Sequence, residues 1–488
     1  MLTEYDSAVT DLFPLANQMF SRASGAPLQE GNAIRLLKDA AENYPAWASA
    51  IASARRTIHV EMYVVHDDDT GRRFADALIA QAQRGVRVRV IYDWFGGLGN
   101  TRGRFWRALR AAGVEVRVYN PPGLESPFGW VSRDHRKVIV VDGCVAFVSG
   151  LCVGDAWSGD PARGRDPWRD TGVEVRGAAV AEIEQAFADS WAATGPPLPP
   201  ATPDAAPEAF ARAPGAGLEA PVSLRVVASV PNTAGILRMD ELVAALARQR
   251  LWLTDAYYAG TTPYVQALRA AARDGVDVRL LVPGSSDVPV VSPLSRAGYR
   301  PLLEAGVRIF EWNGSMLHAK TAVADDRWAR VGSTNLNLTS WIGNRELDVV
   351  VEDAAFARAM AAMYEVDLGR ATEIVLVRHA RVRAQGGASR GRPPTSSSGG
   401  RALAGAMRIG NTVSAAMTNR RVLEPVEAHI ALLAGVAAAG LTGIGLFFPR
   451  SIAYPVAVVA AWFAGTLLLR GVRLLAGARR GRARDVRR

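Results

Sequence analysis

The chain has 488 residues, of which 49% are hydrophobic and 21% are charged. This composition is typical of a globular protein with two or more cored domains and excludes a disordered or collagen-like chain. The net charge of +10 is concentrated in residues 401–488, which hold 13 Arg against three acidic residues. Residues 1–400 balance at 44 basic against 44 acidic residues. We therefore expect no nucleic-acid partner, because such a partner requires a basic surface.

Cys144 and Cys152 are the two cysteines of the chain, and no cluster of Cys and His has the spacing of a structural zinc site. The sequence therefore predicts neither a disulfide framework nor a bound metal or other cofactor. A reducing compartment is consistent with this cysteine usage.

Apolar, strand-like runs alternate with helical stretches from about residue 48 to residue 190. Residues 56–65 are predicted to form a strand, 71–85 an amphipathic helix that ends at Gly85, and 86–93 the next strand. This alternation indicates an α/β fold.

The same pattern recurs about 190 residues later. Residues 250–259 correspond to the first strand and 274–283 to the second, while 305–313 correspond to 112–120. Three matches in one order at a nearly constant offset indicate an internal duplication into two homologous α/β halves.

We assign residues 1–195 to the first half and 221–385 to the second. Residues 196–220 are rich in Pro and Ala and are predicted to be a surface connector, whereas 386–400, rich in Gly and Ser, are predicted to be a flexible linker. The linker separates the duplicated unit from a tail of different composition, 401–488.

Two apolar segments in this tail, 428–449 and 451–469, each approach the roughly 20 residues that a helix needs to cross a bilayer. Arginines flank the pair on both outer sides, and Arg450 alone lies between the segments. The tail is therefore predicted to be a transmembrane helical hairpin with both ends in the cytoplasm. The alternative is a buried Ala/Gly-rich helical pair in a soluble protein.

Each half contains His-x-Lys followed after four residues by Asp. Lysine is rare, with three residues against 54 Arg, yet two of the three lysines fall in this motif. The six motif residues are our candidate catalytic set: His135, Lys137 and Asp142, and His318, Lys320 and Asp325.

The agreement between the halves extends downstream of the motif. Cys152 and Asn335 lie at the same offset from their histidines, and Ser333 precedes Asn335 in the second half. Each half then offers a carboxylate, Asp170 or Glu346.

An imidazole and an ammonium group on one strand face make a site for a phosphate group. Two such sites brought together supply one His to attack phosphorus and one to protonate the leaving oxygen. This chemistry needs no metal.

The paired motif, the GSTN segment at 332–335, the NRE segment at 344–346 and the WRDT segment at 168–171 resemble the phospholipase D superfamily, in particular its bacterial cardiolipin synthase-like branch. The resemblance covers about residues 30–370. It implies two α/β halves with the active site at their junction and a covalent phosphohistidine formed without a metal.

The resemblance also implies roles for individual residues. His135 is expected to be the nucleophile, and His318 the acid and then the base. The phosphate oxygens are expected to be held by Lys137, Lys320 and Asn335, with Ser333 beside them. The imidazoles are expected to be oriented by Asp170 and Glu346. Mainly structural roles within the motif are expected for Asp142 and Asp325.

Three residues depart from the family pattern. Cys152 stands where the family often has Asn, and Asn337 and Thr339 stand where Asp and often Arg occur.

Aromatic residues that flank the motif segments either meet acyl chains at the pocket mouth or pack in the core: Trp94, Phe95, Phe128, Trp130 and Trp157.

The sequence thus predicts a phosphatidyltransferase that makes cardiolipin from phosphatidylglycerol and a second phospholipid. Its expected partners are phospholipid substrates and an anionic membrane surface, and its expected location is the bacterial inner membrane with the catalytic domain in the cytoplasm. Three alternatives remain open: a phospholipase D that uses water as acceptor, a nuclease, and a catalytically idle lipid-binding scaffold.

Overall fold

A computed structural model describes residues 17–123, 131–199, 219–288, 295–376 and 420–422, with isolated positions between 442 and 465. The chain divides into two compact units. One comprises Met1–Tyr119 and Arg133–Glu424, and the other comprises Asn120–Ser132 and Pro425–Arg488. All the elements named below belong to the first unit.

The first half alternates strands and helices in the order that the sequence predicts. Its strands are β1 (Gln29–Lys38), β2 (Thr57–Met62), β3 (Arg87–Asp93), β4 (Glu115–Tyr119), β5 (Lys137–Val141), β6 (Val145–Ser149) and β7 (Thr171–Arg176). Its α-helices are α1 (Asp39–Ser53), α2 (Asp69–Gln83), α3 (Trp94–Gly97), α4 (Gly103–Ala111), α5 (Asp155–Ser158) and α6 (Ala179–Ala193).

The second half repeats the seven strands of the first half in the same chain order, with four α-helices against six among the described residues. Its strands are β8 (Glu219–Ser229), β9 (Arg250–Thr254), β10 (Asp277–Pro283), β11 (Arg308–Trp312), β12 (Thr321–Ala324), β13 (Trp328–Gly332), β14 (Glu346–Val351) and β15 (Ala371–Val375), and β16 (Arg420–Val422) pairs beside β15. Its α-helices are α7 (Gly235–Leu246), α8 (Thr262–Arg273), α9 (Tyr299–Glu304) and α10 (Ala354–Leu368).

One mixed sheet of 16 strands runs through both halves. The first half has the strand order β4-β3-β2-β5-β6-β7-β1, and the second half repeats it as β11-β10-β9-β12-β13-β14-β8. The trios β4-β3-β2 and β11-β10-β9 are parallel, and the other neighbours within these two seven-strand orders are antiparallel. The predicted α/β fold and duplication are confirmed, and the halves join where β1 pairs antiparallel with β8.

Apolar residues of both halves form a shared core. One buried cluster includes Ile34 and Val148 from the first half with Leu347 and Val349 from the second. Strands β5, β6, β13 and β14 are buried along their whole length, as expected for strands covered on both faces. This packing holds the two motif segments, which adjoin β5 and β12, in a rigid frame.

The domain boundaries at 195, 220 and 385 remain predictions. Residues 386–400 lie outside the described residues, as do the predicted spans 428–449 and 451–469 apart from isolated positions. In the described part of the chain, no helix is long and apolar enough to cross a membrane.

Candidate active site

Each motif histidine is paired through Nδ1 with a carboxylate from the other half. His135 Nδ1 lies 2.9 Å from Oε2 of Glu346, and His318 Nδ1 lies 2.7 Å from Oδ2 of Asp170. Both carboxylates are fully buried. The pairs therefore cross between the halves, so that neither half by itself holds its histidine in position.

Backbone hydrogen bonds reinforce the crossed pairing. The N–H of His135 donates to the carbonyl of Arg345 at 2.9 Å, and the N–H of His318 donates to the carbonyl of Arg169 at 2.7 Å. Each acceptor directly precedes the carboxylate that binds the same histidine. The spacing between imidazole and carboxylate is therefore set by the backbone as well as by the side chains.

Burial lowers the pKa of both His135 and His318 to about 4, and at His318 the ammonium group of Lys320 acts in the same direction. Burial raises the pKa of Asp170, but His318 and Lys320 outweigh it, so that this pKa lies below its usual value. At Glu346, burial raises the pKa and His135 lowers it, and the net result is a pKa below the usual value. Each ionised carboxylate therefore accepts an Nδ1–H and leaves Nε2 of the neutral imidazole with a free lone pair.

The two motif lysines are buried beside their histidines. Lys137 Nζ donates to the carbonyl oxygen of His135, and Lys320 Nζ donates to that of His318. Each ammonium group also disfavours protonation of the histidine in the opposite half. All four groups thus share one electrostatic environment, and the two positive charges favour binding of an anion there.

The two carboxylates have different supporting contacts. Ser333 Oγ donates to Glu346 at 2.6 Å, and Asn344 Nδ2 lies 3.3 Å from its other oxygen. At Asp170 the supporting donors are the indole Nε1 of Trp157, at 3.0 Å, and the backbone N–H of Thr171, at 2.8 Å. The predicted site residue Ser333 therefore contacts the orienting carboxylate.

The aromatic surroundings of the two histidines also differ. Three rings pack around His318: Trp157 with a centroid distance of 5.4 Å, Trp168 with 5.7 Å and Tyr257 with 5.8 Å. In the described part of the chain, Tyr63 is the one ring that packs on His135, at 4.9 Å. Of the flanking aromatics noted in the sequence, Trp157 thus reaches the site, while Phe128 and Trp130 lie outside the described residues.

Cys152 and Asn335 occupy the same position after the motif in the two halves, and both are buried. Burial raises the pKa of the Cys152 thiol although Lys137 and Lys320 both oppose this shift. The amide of Asn335 reaches Ser340 Oγ at 3.5 Å, while its Oδ1 is buried without a hydrogen-bond partner. Asn335 of the second half therefore offers amide donors and an amide acceptor, which the Cys152 thiol of the first half does not match.

The motif aspartates are not at the imidazoles. Asp142 and Asp325 follow the far ends of β5 and β12, and both have left-handed backbone angles, with φ of 55° and 49°. Each carboxylate accepts three consecutive backbone N–H groups at 2.7–2.9 Å, from Arg55, Arg56 and Thr57 in one half and from Arg248, Gln249 and Arg250 in the other. The structure thus gives them a structural position at the start of β2 and β9, so that they do not belong with the catalytic set.

Two buried arginines beside the site were missed by the sequence analysis. Arg136 donates to the carbonyls of Glu346 and Ser229 in the second half, at 3.1 and 3.0 Å. Arg169 forms an ion pair with Asp367 at 2.7 Å. Composition could not single them out among 54 arginines; their direct adjacency to His135 and Asp170 was the available signal.

Comparison with known proteins identifies relatives of both halves. Residues 48–154 and 243–368 each match the family model described as cardiolipin synthase, phospholipase D-like domain, and each match contains one motif. A cardiolipin synthase of Alkalihalophilus pseudofirmus is 31% identical over 74% of this chain and 70% of its own length. Cardiolipin synthase A of Pseudomonas aeruginosa (strain LESB58) is 35% identical over 72% of this chain and 70% of its own length.

A solved structure has the same fold. The crystal structure of phosphatidylserine synthase from Haemophilus influenzae Rd KW20 superposes with a TM-score of 0.56 and covers 73% of this chain and 91% of its own. Its sequence identity is 14%, so the likeness concerns the fold alone.

Proposed function

Because this chain belongs to the cardiolipin synthase family of phospholipase D-like proteins and is a phosphatidyltransferase of that superfamily, we propose that it makes cardiolipin from phosphatidylglycerol and a second phospholipid. The observation that carries the proposal is the crossed pairing of His135 with Glu346 and of His318 with Asp170. It supplies two oriented imidazoles beside two cations, as a double displacement at phosphorus requires.

In the first step, Nε2 of His135 attacks the phosphorus of phosphatidylglycerol. A P–N bond forms, the P–O bond to the head-group glycerol breaks, and the glycerol oxygen receives a proton from Nε2 of His318. The low pKa of His135 supports its role, because an unprotonated Nε2 is available at neutral pH.

The proton on His318 depends on the substrate. Burial lowers the pKa of His318 to about 4, but a phosphodiester anion that enters beside the imidazole favours its protonated form. The ionised carboxylate of Asp170 then stabilises the imidazolium through Nδ1–H. Substrate binding thereby prepares the acid.

In the second step, a hydroxyl group of the second phospholipid attacks the phosphatidyl-histidine. Its proton passes to Nε2 of His318, the new P–O bond forms, and the P–N bond to His135 breaks. Cardiolipin leaves, and both imidazoles return to their initial state.

Phosphate oxygens are held by Lys137, Lys320 and Asn335 in this proposal. The two ammonium groups supply charge, and the Nδ2 amide group of Asn335, which has two N–H donors and contacts Ser340 Oγ at 3.5 Å, donates to a phosphate oxygen. Cys152 stands at the equivalent position of the first half, so phosphate binding is asymmetric.

Alkaline pH is expected to remove one of these charges. Burial lowers the pKa of Lys320 to about 8, so its ammonium group is present below that pH and is lost above it. Because the acid His318 is neutral in the free protein above about pH 4, kcat/KM for phosphatidylglycerol in neutral detergent already declines with pH below pH 8. We expect loss of the Lys320 charge to steepen this decline by about a further tenfold per pH unit above pH 8. In Lys320→Arg, whose guanidinium stays protonated, kcat/KM is expected to be lower throughout and to show no such steepening up to about pH 10. The same steepening in both proteins would contradict this assignment.

We also place the protein at the bacterial inner membrane with its catalytic part in the cytoplasm. The apolar segments 428–449 and 451–469 and their flanking arginines support this location. Accessibility of a C-terminal tag to protease in intact spheroplasts, compared with lysed ones, tests the sidedness.

The reaction is tested by incubating the reconstituted full chain with phosphatidylglycerol labelled in its acyl chains and resolving the products by mass. We expect cardiolipin and glycerol from the wild type and neither from His135→Ala. Phosphatidic acid as the sole lipid product would instead mean that water is the acceptor and that the protein is a phospholipase.

A further inference from the structure

We propose that the rings around His318 form the subsite for the acceptor alcohol and favour a glycerol hydroxyl of a second lipid over water. These rings, which we term the acceptor wall, are Trp157, Trp168 and Tyr257. The inference deepens the proposed function and rests on it: there, His318 is the base that takes the proton of the acceptor.

The acceptor wall surrounds the imidazole from several directions. Relative to the His318 ring, Trp157 and Tyr257 are nearly perpendicular, at 86° and 80°, while Trp168 is tilted by 37°. The two tryptophans also contact each other, with a centroid distance of 4.6 Å. The hydroxyl that gives its proton to His318 therefore has to approach along an aromatic surface.

Hydrogen bonds fix two of the three rings. The indole of Trp157 donates to Oδ2 of Asp170, the same oxygen that lies beside Nδ1 of His318. The hydroxyl group of Tyr257 donates to Asp287 at 2.8 Å, and its ring faces the Lys320 ammonium group at 5.7 Å. A wall held in this way is in place before the acceptor arrives.

Exposure separates the roles of the two tryptophans. Trp157 is 3% exposed and is part of the support of Asp170, whereas Trp168 is half-buried and packs against the core from its edge. Trp168 is therefore the ring on which a glycerol group can pack without disturbing the carboxylate.

The difference between the histidines assigns the wall to the acceptor. In the proposed reaction, His135 is bonded to phosphorus, and His318 contacts the oxygen that enters. Among the residues that the structure describes, three rings pack on His318, while one ring packs on His135, whose carboxylate partner is supported by Ser333 and Asn344. Aromatic faces pack against the C–H groups of a glycerol but offer poor hydrogen bonding to water, so they lower the competing hydrolysis.

The experiment measures how the intermediate divides between the two acceptors. The reconstituted full chain is supplied with labelled phosphatidylglycerol, and the ratio of phosphatidic acid to cardiolipin is measured with the total turnover. In Trp168→Ala we expect this ratio to rise on the order of tenfold, with total turnover changed only a few-fold. A purely structural role for Trp168 would lower both products together and leave their ratio unchanged.

Trp168→Phe is the matched control, because it keeps a ring at this position, and its ratio is expected to stay near that of the wild type. Trp168→Gln serves as a second open variant should Trp168→Ala not fold, as judged by its thermal unfolding midpoint. Cardiolipin formation with an unchanged product ratio in the folded open variant would overturn the acceptor wall alone. Phosphatidic acid as the sole product of the wild type would overturn both the wall and the proposed function.

Discussion

His135→Ala and His318→Ala are both expected to lose nearly all cardiolipin synthesis, but only one of them is rescued by an activated substrate. With phosphatidylglycerol, we expect losses on the order of 10⁴-fold or more for His135→Ala and of 10²- to 10⁴-fold for His318→Ala. With phosphatidyl-p-nitrophenol, the leaving phenolate needs no proton, so His318→Ala regains its first step while His135→Ala stays inactive.

Release of nitrophenol and lipid label retained on the protein are the two measurements. In His318→Ala the first step proceeds but the base for the second is missing, so labelled protein should accumulate; quenching at alkaline pH preserves the phosphohistidine. Labelled protein in His135→Ala, or rescue of that variant, would reverse the assignment of nucleophile and acid.

The orienting carboxylates are expected to follow the histidine of the other half. Glu346→Gln should behave like His135→Ala, with a loss of about 10²- to 10⁴-fold that the activated substrate does not restore. Asp170→Asn should behave like His318→Ala, with a similar loss that the activated substrate largely restores. The physical reason is that a neutral amide does not hold the imidazole in the tautomer that leaves Nε2 available. It also does not stabilise the protonated imidazole.

The two amide variants act as controls for each other, since each replaces one buried carboxylate with a neutral group of the same size. Unfolding midpoints are needed for both, because each carboxylate also contacts a neighbouring donor, Ser333 or Trp157. If each carboxylate instead oriented the histidine of its own half, Glu346→Gln would be restored by the activated substrate and Asp170→Asn would not. Rescue of Glu346→Gln but not of Asp170→Asn would therefore reject the crossed arrangement.

Much of the fold could be read from local patterns. The strand predicted at 86–93 is observed at Arg87–Asp93, and the helix predicted at 71–85 at Asp69–Gln83. The spacing of apolar residues and the position of turn residues depend only on neighbouring positions in the chain, so they specify such elements directly. The strand predicted at 56–65 instead ends at Met62, where the chain leaves the sheet to pass beside the site at Tyr63.

Sequence alone determined the duplicated α/β halves and the residue types needed for phosphoryl transfer, because each motif is contiguous and occurs twice. Only the tertiary structure decided which carboxylate serves which histidine, since those partners are 211 and 148 residues apart. It also placed the motif aspartates on backbone N–H groups and gathered three aromatic rings at His318. The crossed pairs bridge the two halves, which β1 and β8 join into one sheet, and no pattern of neighbouring residues encodes that closure.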